Sequence, residues 1–252
     1  MPPLALHMTI AKGVADRLRM ASLDDERGNL YVGSTAPDIR VMTRWERERT
    51  HFFDLANFDD QSGVVEFLSA HPRLAASASL DAAARAFVAG YLTHLVMDET
   101  WIGTIYRPFF GERSPLRGDL RANVMDRALQ FSMDCDRRRD DELMAHIVDA
   151  IVRCDLALEV GLIDSDTLRR WRQVVTDMVS QPPDWGRFRH GARRHLGEAD
   201  QQAAELFDDL ARSLPDLVDE TLRYLTPRRV QEFMQESLER GLAVVREYLA
   251  CA

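Results

Sequence analysis

The residues with most chemistry to offer lie in Gly90-Tyr91-Leu92-Thr93-His94-Leu95-Val96-Met97-Asp98. On a helix, a spacing of four puts His94 and Asp98 on one face, about 6 Å apart, where an imidazole and a carboxylate can converge on one cation. Both sit inside an apolar run, and an ionised aspartate buried without a partner is costly. The segment therefore asks for a metal ion, another cation or a dense hydrogen-bond network. A helical HxxxD alone is more often a structural His-Asp pair, so its company decides.

That company is spread along the chain. His7 opens the first predicted helix, whose Ala11, Val14, Ala15 and Leu18 mark a face small enough for close packing. In Gly33-Ser34-Thr35-Ala36-Pro37-Asp38-Ile39, Pro37 keeps Ala36 extended and fixes Asp38, a carboxylate that can bridge two cations or cap a helix. His51 is flanked by Phe52 and Phe53, which places it inside. Singly, His7 reads as a core or cap residue and His51 as a core histidine donating to a carbonyl. Together they offer a site for a divalent ion, which would acidify a bound water. Asp38 or Asp98 is then the carboxylate that orients or deprotonates the water. The ligand set suits zinc, and iron or manganese fits nearly as well.

His7, the Ala-Pro-Asp turn at Asp38, the His-Phe-Phe at His51 and the Gly-Tyr-x-x-His-x-x-x-Asp of residues 90 to 98 follow the order and rough spacing of a known family. The first 130 or so residues resemble the zinc-dependent phospholipase C family, whose distant relatives include zinc-dependent single-strand nucleases. The resemblance implies an all-helical body in which Asp38 bridges metal ions and His7, His51, His94 and Asp98 ligate around it. It also implies a metal-bound water that attacks phosphorus. Where the family has a His-x-x-x-Glu helix, this chain has Ala122-Asn123-Val124-Met125-Asp126, so Asp126 is the implied further ligand and the histidine is lost. No histidine occurs between His94 and His146. One or two ions are therefore expected rather than three.

Helices must position these groups. Val230, Phe233, Met234, Leu238, Val245 and Leu249 recur at three- and four-residue steps after Thr226-Pro227, the pattern of a capped amphipathic helix. Similar stripes run through Leu143, Ile147, Ile151 and Leu158, through Leu168, Trp171, Val175 and Met178, and through Leu206, Leu210, Leu217 and Leu222, the last split or kinked at Pro215. No alternating strand-like run stands out. The sequence predicts an all-α, phospholipase C-like multi-helix bundle with additional C-terminal helices. Gly111 to Gly118 is the joint between a metal-binding core, residues 1–115, and a helical extension, 116–252, packed on the same body. Trp101, Tyr106, Phe109 and Phe110 read as core or as the rim of a pocket.

A second chemical signal is Trp185 to His195, rich in arginine within an otherwise acidic chain. Arg187, Arg189, Arg193 and Arg194 are candidates to clamp a phosphate or carboxylate of the substrate if the segment folds over the metal site, and otherwise form a solvated face paired with nearby acids. The mixed-charge run Asp134 to Glu142 lacks calcium-loop spacing.

The 252 residues are 46% hydrophobic and 29% charged, enough for a sizeable core and unlike a disordered chain. With 32 basic and 41 acidic side chains the formal charge is −9, which argues against broad nucleic-acid or anionic-membrane binding. Cys135, Cys154 and Cys251 form no CxxC pair, which fits a reducing compartment. The start lacks a basic segment followed by an apolar stretch, so cytoplasmic placement is expected. The apolar stretch Ala86 to Met97 reaches about 18 Å as a helix, short of a span. The expectation is a cytoplasmic metal-dependent hydrolase of a small soluble phosphoester, since nothing in the chain seeks a bilayer. Two other readings share the cluster: a helical di-iron oxygenase or oxidase, and a non-catalytic protein with a structural metal site.

Overall fold

Aspartate starts most of the long helices. In the computed structural model, which describes residues 3–55, 57–197 and 201–250, the carboxylates of Asp81, Asp119, Asp140 and Asp164 accept from the N–H groups of Ala84, Ala122, Leu143 and Thr167 at 2.7–3.0 Å. Each satisfies an N–H that a helix start leaves without a partner. The helices are α1 (Leu4–Leu18), α2 (Arg27–Thr35), α3 (Gly63–Ala70), α4 (Ala82–Trp101), α5 (Leu120–Arg138), α6 (Asp141–Arg153), α7 (Ser165–Ser180), α8 (Trp185–Gly197), α9 (Gln201–Leu210), α10 (Leu214–Leu225) and α11 (Pro227–Ala250). Single helical turns fill several connections, among them Ala36–Ile39 and Glu48–His51. No strand occurs among the described residues, and the protein is all-α. Pro215 and Pro227 each sit in the first turn of a helix, where their missing N–H costs nothing.

At the centre lies α4, buried from Ala86 to Trp101 without interruption. It packs chiefly on α2 and α11, while α1 packs on α2, α4, α5 and α11. One hydrophobic core runs from Leu4 to Leu249 through all of these. A helix buried all round has no solvent face, so any ionisable group on it must find a partner inside the protein.

Two glycines set how close the neighbours come. A methyl group on Gly33 would lie 2.0 Å from the Phe87 carbonyl oxygen, and one on Gly90 would lie 2.0 Å from the Leu30 carbonyl oxygen. The α2 and α4 backbones are therefore in direct contact, a spacing that only glycine permits. Past Thr35 the chain tightens into the Ala36–Ile39 turn, helped by Pro37, which lacks an N–H to continue the α-helical ladder. Ala36 is itself helical, at φ −61° and ψ −33°, and not extended as expected before a proline, because the turn carries straight on from α2. No helix of the described residues is long and apolar enough to cross a membrane.

Candidate metal centre

The glycine contact places the end of α2 beside His94. Ser34 belongs to the last turn of α2, where helical carbonyls lack partners of their own, and its oxygen lies 2.8 Å from His94 Nδ1. A carbonyl can only accept, so His94 carries its proton on Nδ1 and leaves the Nε2 lone pair free. On the turn Glu48–His51, the Thr50 hydroxyl lies 2.8 Å from His51 Nδ1 and 3.4 Å from the Arg47 carbonyl. With the hydroxyl turned to donate to that carbonyl, it can accept from a His51 Nδ1–H, the tautomer that leaves Nε2 free to ligate. The turn is fixed to α4 by the Tyr91 hydroxyl, which donates to the Thr50 carbonyl at 2.6 Å. Both imidazoles are thus held as metal-binding histidines usually are, by a bond from the other ring nitrogen.

The free atoms converge. His51 Nε2 lies 3.6 Å from Asp38 Oδ1 and 3.5 Å from Asp98 Oδ2; His94 Nε2 lies 3.8 Å and His7 Nε2 3.6 Å from the Asp98 carboxylate. The rings of His7 and His94 stack at 3.8 Å, nearly parallel, and His51 meets His94 edge-on at 5.3 Å. Two sets of ligand atoms, His7/His94/Asp98 and Asp38/His51/His94, each fall within 4.8 Å of one another and share His94. Atoms held about 2.0–2.2 Å from one ion in tetrahedral array stand roughly 3.3–3.6 Å apart, close to the separations observed.

None of these approaches is a hydrogen bond. Both nitrogens of His7, Nε2 of His51 and of His94, and both oxygens of Asp98 are buried without a hydrogen-bond partner. Buried polar atoms are normally satisfied, and Nε2 of His51 and of His94, a ring nitrogen of His7 and the Asp98 oxygens, gathered in two overlapping sets, are lone pairs lacking an acceptor. Burial pushes the pKa of all three histidines down to about 3, against the smaller opposing pull of the nearby aspartates, so the rings are neutral and their lone pairs available. The residues present fit a divalent metal ion: two carboxylates for charge and three imidazoles of the kind zinc, iron or manganese accepts.

The cluster opens on one side. A cleft of about 470 Å³ has Asp38 and Arg47 in its lining, with Leu4, Trp101, Ile102, Tyr106 and Asp126 around them. Asp38, on the Ala36–Ile39 turn, is 15% exposed where Asp98 is 4% exposed. It makes no capping hydrogen bond, so the reading of Asp38 as a helix cap is replaced by a place at the mouth of the cluster. Ile102 and Tyr106 come from a π-helical continuation of α4, Ile102–Phe110. Tyr106 and the fully buried Trp101 thus line the cleft, Trp101 as part of the core, while Phe110 is core and Phe109 packs edge-on against Tyr224.

Asp126 reaches the cleft but not the cluster. Its oxygens accept from Trp101 Nε1 at 2.9 Å and Gln130 Nε2 at 2.7 Å, and burial raises its pKa. Its ligand capacity is spent on neighbours, which makes it a wall residue rather than a member of either ligand set. Among the described residues, the arginine-rich helix α8 contributes none that line the cleft. Arg187 pairs with Asp184 and Gln181, Arg193 with Asp208 at 2.8 Å, and Arg189 is exposed. The Arg194 side chain lies outside the described residues. Cations at the cleft come instead from Arg40, Arg47, Arg127 and Arg138.

Arg47 is the residue that sequence reasoning missed. It stands four positions before His51, the spacing that joins His94 to Asp98, and that repeat was the available signal. Its Nη2 lies 3.5 Å from Asp98 Oδ2, and burial lowers its pKa. Comparison with family models, curated proteins and solved structures gives no match to this chain.

Proposed function

We propose that the protein is a metal-dependent hydrolase that cleaves a small, soluble phosphoester. The observation that carries this reading is the set of buried, unpartnered ligand atoms on His7, His51, His94 and Asp98 beside a cleft lined by Asp38 and Arg47. Further support comes from the sequence motifs, whose order resembles that of the zinc-dependent phospholipase C family and whose side chains meet in one place. A bound divalent ion, zinc by preference and manganese or iron by the same donors, supplies Lewis acidity and a water acidic enough to act near neutral pH.

The chain's own residues do the rest. Ser34 and Thr50 hold His94 and His51 with Nε2 turned inward. Asp98, with both oxygens buried, holds charge at the centre. Asp38, the carboxylate nearest solvent, takes the proton of the attacking water at the cleft. Buried apolar neighbours such as Leu4, Trp101 and Ile102 lower the local dielectric and strengthen these interactions. Three imidazoles to two carboxylates differ from the glutamate-rich sets of helical di-iron oxidases. A mouth at Asp38 differs from a structural site closed by protein ligands on every side.

Elemental analysis of protein purified without added metal tests the first half. At least about one transition-metal ion per chain is expected, and His94→Ala should lose most of it. Chromogenic phosphomonoesters and diesters with zinc, manganese or iron test the second half. Turnover on one of them is expected, without oxygen uptake; a metal-free native protein, or oxygen consumption in place of hydrolysis, would overturn the proposal.

A further inference from the structure

We infer that Arg47 is the oxyanion clamp of the cleft, the group that binds the phosphoryl oxygens of the substrate, while the apolar wall takes an apolar or aromatic alcohol. The inference rests on the phosphoester reading of the neighbouring cluster and names its substrate class.

The argument begins with unspent donors. The Arg47 side chain is 13% exposed, and its Nε, Nη1 and Nη2 are all buried without a hydrogen-bond partner. A guanidinium carries five N–H donors in a rigid fork, so leaving the fork unmet inside a protein is costly. The nearby Asp98 does not meet it, since the 3.5 Å approach has no hydrogen-bond geometry.

Other arginines of the same cleft are differently placed. Arg138 donates to the carbonyls of Met178 and Gln181 and pairs with Asp134; Arg40 donates to the Trp45 carbonyl; Arg127 is exposed. Arg47 alone among these four combines burial with an unengaged fork. A tetrahedral oxyanion offers the acceptors that such a fork matches in pairs. Because Arg47 is next to Asp98, an anion in its grip is also next to the ligand cluster. Beyond it, Leu4, Val41, Leu55, Ile102, Tyr106 and Val179 present mainly carbon to the cleft. That surface suits an alkyl or aryl group better than a polyol.

Calorimetric titration with inorganic phosphate, phenyl phosphate and glycerol phosphate tests this on the full chain, with metal content and melting temperature measured alongside. Wild-type protein should bind phosphate, and Arg47→Gln should weaken it at least about tenfold, the worth of one charge-assisted hydrogen bond. Arg47→Lys keeps a charge beside Asp98 but loses the fork, and should weaken phosphate several-fold while retaining metal and fold. Should Arg47→Gln fail to fold, the lysine variant decides. Equal phosphate affinity in Arg47→Lys and wild type would mean that Arg47 only neutralises Asp98, and would overturn the inference; so would failure of the wild type to bind phosphate. Phenyl phosphate should bind more tightly than glycerol phosphate, and the reverse order would overturn the apolar-alcohol half. Phosphate binding that depends on Arg47 in a protein that takes no metal would sink the hydrolase reading and leave the clamp standing. Metal binding with phosphate affinity indifferent to position 47 would do the opposite.

Discussion

Two regions of this molecule carry chemically rich side chains, and they differ in what surrounds them. The cluster of His7, Asp38, His51, His94 and Asp98 brings five residues from four parts of the chain into the interior, where six polar atoms have no partner. Helix α8 brings several arginines together within one segment, and Arg187 and Arg193 are exposed and already paired. Residue type favours α8 as an anion site; burial and unmet hydrogen-bonding capacity favour the cluster and its neighbour Arg47. The difference teaches that a site is marked less by charged groups than by groups the fold has desolvated and left unsatisfied.

Replacing a central ligand separates the two regions most sharply. Asp98→Asn keeps shape but removes the carboxylate charge, and should lower metal affinity by more than about 100-fold, beyond what loss of an outer partner costs. In metal-free protein the same change relieves a buried carboxylate that no hydrogen bond satisfies, so its unfolding midpoint should rise. Metal titration and denaturant melts on one sample check both halves. Unchanged affinity, or a drop in metal-free stability, would show that Asp98 is a structural ion-pair partner instead.

Acid should also discriminate. His7, His51 and His94 have folded-state pKa values pushed down to about 3 by burial, against 6.5 when free. Between these limits the unfolded chain binds more protons than the native one, so stability is lost as pH falls below 6.5 and is retained above it. Each histidine contributes a slope of up to about 1.4 kcal/mol per pH unit in that window. Metal-free protein unfolded in denaturant at pH 7, 6 and 5 should show this loss, and metal-free His94→Ala should show it less steeply.

The all-α class was legible because helical periodicity is a local signal. The motifs of the cluster were legible because His94–Asp98 is a helical spacing and because the Phe52–Phe53 pair marks His51 as internal; Pro37 marked the turn at Asp38, although Ala36 before it is helical rather than extended. Arg47 was not, because nothing local tells a buried arginine from a solvated one; only the packing of the Glu48–His51 turn against Tyr91 decides it. Asp126 misled for the reciprocal reason. Its position on α5 matches a ligand position of the resembled family, but Trp101 and Gln130, distant and near in sequence, consume its oxygens. The glycines that set the α2–α4 distance were present in the motifs, yet their purpose emerges only from the 2.0 Å approaches. Gly90→Ala should accordingly separate those helices, cost about 1–3 kcal/mol as an overpacked contact does, and loosen the Ser34–His94 bond. Lower metal affinity together with a lower melting temperature is the expected pair of readouts.

The smallest effect is expected where the sequence looked most basic. Arg187 and Arg193 make exposed ion pairs, with side chains 60% and 48% exposed, and such pairs contribute roughly 0–1 kcal/mol. Arg187→Ala and Arg193→Ala, singly or together, should therefore change stability by no more than about 1 kcal/mol and leave metal content and phosphate affinity as they were. Raising salt should erase most of even that difference, since screening acts on exposed charges first. A loss of phosphate affinity in the double variant would move the anion site from Arg47 to α8 and invert the comparison between the two regions.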